Sequence, residues 1–299
     1  SDVALLKRLR NAENWLHSLC LRLLAEQGIE APQGPKPWRV RVLDASLVKE
    51  PGRTGSQWRI HYSLELPGML CDHLEVTPVQ GKGVGERLGR FPARLGDLIL
   101  ADRGLCNPVG IQRLRQQGAH VIVRLNTGSL PLRTPQGKKL DLLARLEALS
   151  EAGTVGEWAV QAGKTGAPIA GRLCVLRKSE AQTRRAQRKI QKKAQQGGPK
   201  TKPETLQYAK YVMVFTSLSR EELSAAKVLE WYRMRWQIEL IFKRLKTLLR
   251  VGQLPKYDED SSKAWLYGKL FVALLAEKLI RVGRTISPWG YVLAQPTEA

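Results

Sequence analysis

Polar residues recur at helical spacing between positions 231 and 246. The pattern is Tyr-x2-Arg-x3-Glu-x6-Lys, formed by Tyr232, Arg235, Glu239 and Lys246. At about 100° per residue, an uninterrupted helix places these side chains on an arc of roughly 60° beside an apolar stripe. A carboxylate among cations suits metal-dependent phosphoryl transfer, in which the acid holds a metal ion and the cations hold phosphates. The alternative is a plain ion pair between Arg235 and Glu239, worth about 0.3 kcal/mol.

Two aspartates could supply further metal ligands, because one carboxylate is not enough for such a site. Asp44 ends one strand-like run (RVLDAS), and Asp102 ends another (LILADRG) 58 positions later. Either aspartate by itself is more often a turn residue. Close carboxylates repel one another unless a cation lies between them, and their hard oxygens suit Mg²⁺. We therefore expect Asp44, Asp102 and Glu239 to converge.

Hydrophobic periodicity indicates the elements that must carry these residues. Helices are predicted over 3–27, 84–90, 109–117, 221–250 and 262–280, and strands over 38–43, 58–64, 70–76, 97–101, 119–125 and 211–215. The first three strands are closely spaced, which is typical of an antiparallel meander. The succession of strand, helix and strand over 97–125 favours a parallel pair covered on both faces.

Residues 126–216 are less regular, with short strands among glycines and prolines. Within them, residues 177–202 hold ten Lys or Arg and one acid, Glu180, and are predicted to form a basic loop. Such a run is either a solvated surface or an arm that contacts nucleic acid.

The whole chain is strongly basic. Its 299 residues include 49 Lys or Arg and 27 Asp or Glu, a net charge of +22, while 43% are apolar, as in ordinary globular folds. An excess of this size favours a nucleic acid partner. The longest apolar run, 270–276, has seven residues, far fewer than the roughly 20 that span a bilayer, so no membrane protein is expected. The four scattered cysteines suit a reducing cytoplasm.

These motifs resemble those of the DDE transposases, and more narrowly those of the insertion-sequence-four family. The family signature is matched at every spacing by Tyr232, Arg235, Glu239 and Lys246. Val42–Ser46 and Ala101–Gly104 are similar to its two aspartate motifs, and Val121–Arg124 resembles the arginine-ending strand that follows the second acid. The resemblance covers about residues 38–280. It implies an α/β fold, in which a ribonuclease-H-like mixed sheet core flanked by helices is interrupted by a β-rich insertion domain.

The resemblance also implies a chemistry. The enzyme would cleave DNA at transposon ends through a hairpin and join the 3′ hydroxyl to target DNA, with two Mg²⁺ or Mn²⁺ ions held by Asp44, Asp102 and Glu239. The residues expected to contact DNA are Tyr232, Arg235, Lys246, Tyr211, Arg124, Arg103 and Lys243. Tyr211 matches the place of an aromatic residue that stacks on a flipped base in hairpin-forming relatives. A dimer on DNA and a cytoplasmic, nucleoid-associated location in bacteria are implied as well.

The expected domains follow from the spacing of the acids. The 137 positions from Asp102 to Glu239 exceed those of an uninterrupted core. The core would comprise 38–125 and 217–285, and the insertion domain 126–216, with an N-terminal helix and linker at 1–37 and a tail at 286–299. Only 43 residues precede Asp44, where relatives carry an end-recognition domain. Residues 1–37 are therefore interpreted as a remnant of that domain, unless DNA ends are recognised differently.

Three other functions stay open on the sequence alone. A related nuclease would cut DNA without joining it. A catalytically idle DNA-binding protein or regulator derived from a transposase would keep the basic surface and lose the chemistry. An RNA-binding protein would depend on the basic run at 177–202. The presence of all three acids favours the enzyme but does not show that they meet in space.

Overall fold

A computed structural model describes residues 2–26, 38–49, 56–163, 168–196, 201–254 and 259–285. The chain divides into two compact units. The middle unit comprises Pro35–Asp44 and Glu86–Gln237, and the terminal unit comprises Ser1–Gly34, Ala45–Gly85 and Ile238–Ala299. The linker predicted at 31–37 and the tail predicted at 286–299 lie outside the described residues. No helix in the described ranges combines the length and the apolar character needed to cross a membrane.

The described residues form the following strands and helices. The strands are β1 (Arg39–Lys49), β2 (Ser56–Leu66), β3 (Leu70–Pro78), β4 (Asp97–Ala101), β5 (His120–Arg124), β6 (Leu132–Arg133), β7 (Val155–Ala162), β8 (Ile169–Arg177) and β9 (Tyr211–Thr216). The helices are α1 (Asp2–Arg10), α2 (Glu13–Glu26), α3 (Pro108–Gln116), α4 (Leu142–Glu147), α5 (Glu180–Gln195), α6 (Pro203–Tyr208), α7 (Ala225–Arg233), α8 (Trp236–Leu248) and α9 (Glu259–Thr285). Short 3₁₀ turns lie at Leu88–Arg90 and Arg103–Leu105.

The middle unit is built on a mixed sheet. Its strand order is β1-β4-β5-β9-β8-β7-β6. Strands β1, β4 and β5 are parallel, and from β5 onward each strand is antiparallel to its neighbour. The apolar strand β4 (DLILA) is buried along its whole length, as expected for a parallel strand covered on both faces. Helices α3 and α7 pack against this sheet, so the predicted mixed α/β sheet flanked by helices is confirmed.

A buried ionic cluster fixes β1 beside β4. The Asp97 carboxylate accepts hydrogen bonds from Arg39 Nε at 2.7 Å and from Arg41 at 3.0 Å, and from the backbone N–H of Arg94 at 3.0 Å. Burial by itself would raise the pKa of Asp97, but the hydrogen bond from Arg39 and the charge of Arg41 lower it below its usual value. The ionised Asp97 therefore holds the two strands in register at the end opposite the aspartate motifs.

The terminal unit combines an antiparallel hairpin with helices. Strands β2 and β3 pair antiparallel, and β2 follows β1 in the sheet order. Helix α2 packs on α9, where the His17 ring stacks on Tyr267 with centroids 4.7 Å apart. On α8, Phe242 packs edge-on against Tyr62 of β2 at 5.9 Å. The Lys49 N–H donates to the carbonyl of Gly252 at 3.1 Å, which ties the end of β1 to the segment after α8.

The long helix predicted over 221–250 is interrupted. Helix α7 ends at Arg233 and α8 begins at Trp236. Between them the chain makes tight i to i+3 bonds, from the Arg235 N–H to Tyr232 at 3.1 Å and from the Gln237 N–H to Met234 at 3.0 Å. Such 3₁₀-type turns change the angle between successive residues. The prediction that the four signature residues share a 60° arc of one continuous helix is therefore wrong.

The basic loop predicted over 177–202 is also wrong, because most of it is helix α5. Ser179 Oγ accepts from the Gln182 N–H at 3.3 Å, and the Gln182 side chain accepts from the Ser179 N–H, which makes a capping box. The helix is rich in Ala, Gln, Arg and Lys, all good helix formers. Local propensity and the cap therefore outweigh the repulsion between its charges.

Smaller differences concern three other predicted helices. The segment 3–27 forms two helices, α1 and α2, instead of one. The helix predicted at 84–90 is reduced to the 3₁₀ turn Leu88–Arg90. The last helix, predicted over 262–280, extends over Glu259–Thr285.

Candidate active site

Two of the predicted acids lie at matching positions along two adjacent strands of the sheet, β1 and β4. Leu43 of β1 is the register partner of Ala101 of β4. The next residues are Asp44 and Asp102, and neighbouring strands lie about 4.8 Å apart. Asp102 directly follows β4 as predicted, whereas Asp44 lies inside β1, so the prediction that the strand ends there is wrong: it continues to Lys49. Both aspartates are half-buried. The register therefore makes the two aspartates neighbours across the strands, although 58 positions separate them in the chain.

Helix α7 brings a phenol to the second acid. The helix begins after Ser224, whose Oγ accepts from the Lys227 N–H at 3.4 Å, and Tyr232 lies on its last turn. The buried Tyr232 hydroxyl donates to Asp102 Oδ1 at 3.2 Å. Burial, and then the charge of Asp102, raise the pKa of Tyr232 to about 12. The phenol is thus protonated at neutral pH. As a hydrogen-bond donor it orients the Asp102 carboxylate.

The turn after α7 brings an arginine to the first acid. Arg235 Nη1 lies 3.5 Å from Asp44 Oδ2, and both side chains are half-buried. The guanidinium carbon also lies 6.0 Å from the centroid of the Tyr232 ring, within the range of a cation–π contact. Each acid is therefore contacted by a different residue of the signature, Arg235 on Asp44 and Tyr232 on Asp102.

The other signature residues lie on α8 in the terminal unit. Glu239 is exposed on the first turn, and the exposed Lys246 lies on the last turn, an arrangement that complements the helix dipole. Lys243 is exposed between them. The apolar stripe of this helix is buried at Ile238, Ile241, Phe242 and Leu245, whereas Leu248 on the last turn is 78% exposed.

The chemistry of the two aspartates fits a divalent cation. Both residues carry hard carboxylate oxygens, which are the ligands that Mg²⁺ and Mn²⁺ prefer. Within the described ranges, no three His, Cys, Asp or Glu side chains form a cluster that could hold a metal ion. Asp44 and Asp102 belong to the middle unit, and Glu239 belongs to the terminal unit.

Three of the predicted DNA contacts share one cleft in the middle unit, which we call the basic cleft. It has a volume of about 570 Å³, and Arg103, Arg124 and Tyr211 line it. Tyr211 is buried, and the guanidinium carbon of Arg177 lies 4.9 Å from its ring centroid. Lys178 lines the same cleft and was not singled out from the sequence, where it is one cation in a basic run.

A further residue that the sequence did not single out is Arg172 on β8. Its buried guanidinium donates to the carbonyls of Leu218 at 2.8 Å, Ser219 at 2.8 Å and Leu223 at 2.7 Å. It also forms an ion pair with Glu157 at 2.6 Å. This side chain fixes the segment that leads into α7 and therefore into the aspartate site. The sequence signal that could have identified Arg172 is its position as an arginine inside an otherwise apolar strand (GRLCV).

Comparison with known proteins identifies the class as a DDE transposase. The transposase DDE domain family matches residues 81–275. The chain is 33% identical over 295 residues to the putative transposase InsL of insertion sequence element IS186A from Escherichia coli K12, with 96% of this chain and 78% of the relative covered. The transposase of IS421 from Escherichia coli matches with the same identity and coverage. The chain therefore belongs to the DDE transposase family.

Two more distant similarities complete the comparison. The transposase of insertion sequence element IS231E from Bacillus thuringiensis is 22% identical over 269 residues, covering 79% of this chain and 55% of the relative. Among solved structures, a piggyBac transposase synaptic complex with hairpin DNA is 10% identical. That match covers 87% of this chain and 50% of the other, with a TM-score of 0.47.

Proposed function

We propose that the protein cleaves DNA at the ends of an insertion sequence, through a hairpin intermediate, and transfers the 3′ hydroxyl to target DNA. The observation that carries this proposal is the pairing of Tyr232 with Asp102 and of Arg235 with Asp44. Two signature residues thus contact two acids that lie far upstream in the chain. The relatives named above, which are transposases of insertion sequences, support the same substrate.

Asp44 and Asp102, together with Glu239 from α8, would hold two divalent cations, Mg²⁺ or Mn²⁺. When bound, such ions activate the attacking oxygen and stabilise the leaving 3′ oxygen of an in-line displacement on phosphorus. Three carboxylates are a suitable ligand set, because they can stay ionised together only beside such a charge. The proposal requires no nucleophilic serine or cysteine.

The side chains around the acids would bind and orient the DNA strand. Arg235 presents a planar fork that can grip a phosphate with two hydrogen bonds while it remains beside Asp44. Tyr232 holds the Asp102 carboxylate through its hydroxyl proton and can contact the sugar-phosphate backbone of the strand end. The exposed Lys243 and Lys246 on α8 would neutralise further phosphates.

We also propose the domain division given above, with a core of 38–125 and 217–285 and an insertion domain of 126–216. In this division Tyr211 stacks on a base at the hairpin. The Arg177 guanidinium already covers part of the Tyr211 ring, so stacking requires Arg177 to share or leave that face. Tyr208 lines the same cleft and is the alternative platform. If Tyr208→Ala abolishes hairpin formation and Tyr211→Ala does not, the stacking role belongs to Tyr208.

A cleavage assay tests the proposed activity. The protein is incubated with Mn²⁺ and labelled linear DNA that carries the ends of its element, and cleaved and joined products are separated on a gel. We expect Asp44→Asn, Asp102→Asn and Glu239→Gln each to abolish both products, because each removes a metal ligand, while DNA binding persists. Glu151→Gln, which neutralises an exposed acid elsewhere in the middle unit, should cleave like the wild type.

The other outcomes separate the remaining functions. Cleaved DNA without joined products would indicate a nuclease. DNA binding without cleavage by the wild type would indicate a catalytically idle DNA-binding protein. A dimer on DNA, which joining two ends requires, would appear as a complex of two chains and two labelled ends in light scattering.

A further inference from the structure

The basic cleft is lined by many more cations than acids. Helices α5 and α6 lie on one side of it, and the ends of β5 and β9 on the other. The cations that line it are Arg103, Arg124, Lys178, Lys189 and Lys202. Among the described residues that line it, the acid is Glu204, which is exposed at the start of α6. The cleft is therefore a strongly positive concavity.

Lys178 is fixed within this concavity. It follows β8 directly, and its backbone N–H donates to the carbonyl of Lys210 at 2.9 Å. Its Nζ donates to the carbonyl of Ala209 at 2.7 Å. An ammonium has three protons, so this bond leaves two that can be donated to a ligand in the cleft. The half-buried side chain thus presents a positioned donor, unlike a freely moving surface lysine.

Lys178 also lies close to two arginines. Burial, followed by the charges of Arg124 and Arg103, lowers the pKa of Lys178 to about 8. Burial and the charge of Arg124 likewise lower the pKa of Arg103. Like charges held together in this way destabilise one another until an anion enters between them.

We propose that Lys178, together with Arg103 and Arg124, binds one backbone phosphate of the DNA strand on which the enzyme acts. The inference rests on the proposed function. Arg103 follows Asp102 in the chain, so a phosphate held there belongs to a strand that passes the aspartate site. Lys189 and Lys202 continue the cationic lining outward, which suits a chain of phosphates better than one free phosphate ion.

The proposal predicts a pH dependence that depends on Lys178. Around it in the basic cleft stand Arg103, Arg124, Lys189, Lys202, Glu204, Tyr208 and Tyr211, and on its other side Arg177, Glu180, Arg184 and Lys210. Above pH 8 the Lys178 side chain is largely neutral in the protein without DNA. Binding a phosphate there then requires uptake of a proton. Affinity for DNA should therefore fall as the pH rises, by roughly tenfold between pH 7 and pH 9.

Fluorescence anisotropy with a labelled single strand of about 20 nucleotides measures this change in the wild type and in variants. Lys178→Arg keeps a charge that does not titrate, so its affinity should match the wild type at pH 7 and stay constant up to pH 9. Lys178→Met should bind at both pH values as weakly as the wild type binds at pH 9. Lys193→Met changes an exposed lysine of α5 outside the cleft and should keep the wild-type pH profile.

Two results would overturn the proposal. The first is a wild-type pH profile in Lys178→Arg, and the second is unchanged affinity in Lys178→Met. Inorganic phosphate serves as a competitor. If it protects the Lys178 amine from acetylation while the labelled strand does not, the ligand is free phosphate and the DNA assignment is wrong. The cleavage assay tests the proposed function separately. The protein can bind DNA with this pH profile and fail to cleave it, or cleave DNA and lack the pH profile.

Discussion

At the scale of single residues, the aspartate site pairs each acid with a different kind of donor. Asp44 faces the charged Arg235, and Asp102 faces the neutral phenol of Tyr232. The Arg235–Asp44 pair is partly exposed and 3.5 Å long, so it contributes little to folding stability. Under the proposed function the importance of the pair lies in its position, since it places the Arg235 guanidinium next to Asp44.

A second carboxyl group in an unusual environment is Glu277, on α9 of the terminal unit. Its Oε1 accepts from the Tyr62 hydroxyl at 3.1 Å. Burial raises the pKa of Glu277 to about 7, although hydrogen bonds from Tyr62 and from the Cys71 backbone oppose the rise. Its other oxygen, Oε2, is buried without a partner among the described residues.

The raised pKa of Glu277 predicts a pH-dependent stability. Between its ordinary pKa of 4.5 and about 7, the folded protein binds a proton that the unfolded chain releases. The free energy of unfolding should therefore fall as the pH rises through this range, by roughly 3 kcal/mol in total. Glu277→Gln removes the titration and should be more stable than the wild type at pH 8 by about 2 kcal/mol, as measured by urea unfolding.

The matched control is Glu26→Gln. Glu26 is exposed, and its pKa is lowered by a hydrogen bond from Lys278 and by the charge of that lysine, so it does not titrate between pH 5 and pH 7. This variant should keep the wild-type slope. Equal slopes in the wild type and Glu277→Gln would show that Glu277 does not titrate in this range.

At the scale of elements, the segment before α7 determines where Tyr232 lies. Arg172 of β8 binds three carbonyls in residues 218–223 and so attaches this segment to the sheet. The Thr216 hydroxyl also accepts from the Leu218 N–H at 3.2 Å. Helix α7 then begins at its Ser224 cap, and its last turn reaches Asp102. The strand that carries Arg172 therefore positions a helix that serves the aspartate site.

Removal of the Arg172 side chain should be strongly destabilising. Arg172→Met leaves three carbonyls without this donor and leaves Glu157 without its closest cation, so we expect a loss of about 3 kcal/mol or more in urea unfolding. Arg184→Met, which breaks an exposed ion pair with Glu180 on α5, should cost less than about 0.5 kcal/mol. Similar losses in the two variants would contradict the role given to Arg172.

At the scale of the whole molecule, the net charge of +22 governs the long-range attraction between the protein and DNA. Charge of this size concentrates the polyanion near the protein before any specific contact forms. Helix α5 presents several exposed cations in one regular element, including Arg185 and Lys192. The sequence left open whether this segment contacts nucleic acid or is only solvated.

Salt dependence answers that question. Each phosphate contact releases counterions, so affinity for DNA should fall by at least about a thousandfold between roughly 50 and 200 mM salt. If α5 contacts DNA, changing Arg185 and Lys192 together to Gln should reduce the slope of log affinity against log salt by about 1 to 2. An unchanged slope would show that Arg185 and Lys192 face solvent and do not contact DNA.

Much of the protein could be derived from its sequence. The signature on 232–246, the two aspartate motifs, and the parallel pairing of β4 with β5 all follow from local spacing and apolar runs. These are short-range properties, since the side chains of one element and its immediate neighbours determine them. The tertiary structure decided what the sequence left open: which acid each signature residue contacts, the break between α7 and α8, the cations gathered in the basic cleft, and the attachment of α7 by Arg172. Those features join residues far apart in the chain, and their distances depend on how whole elements pack.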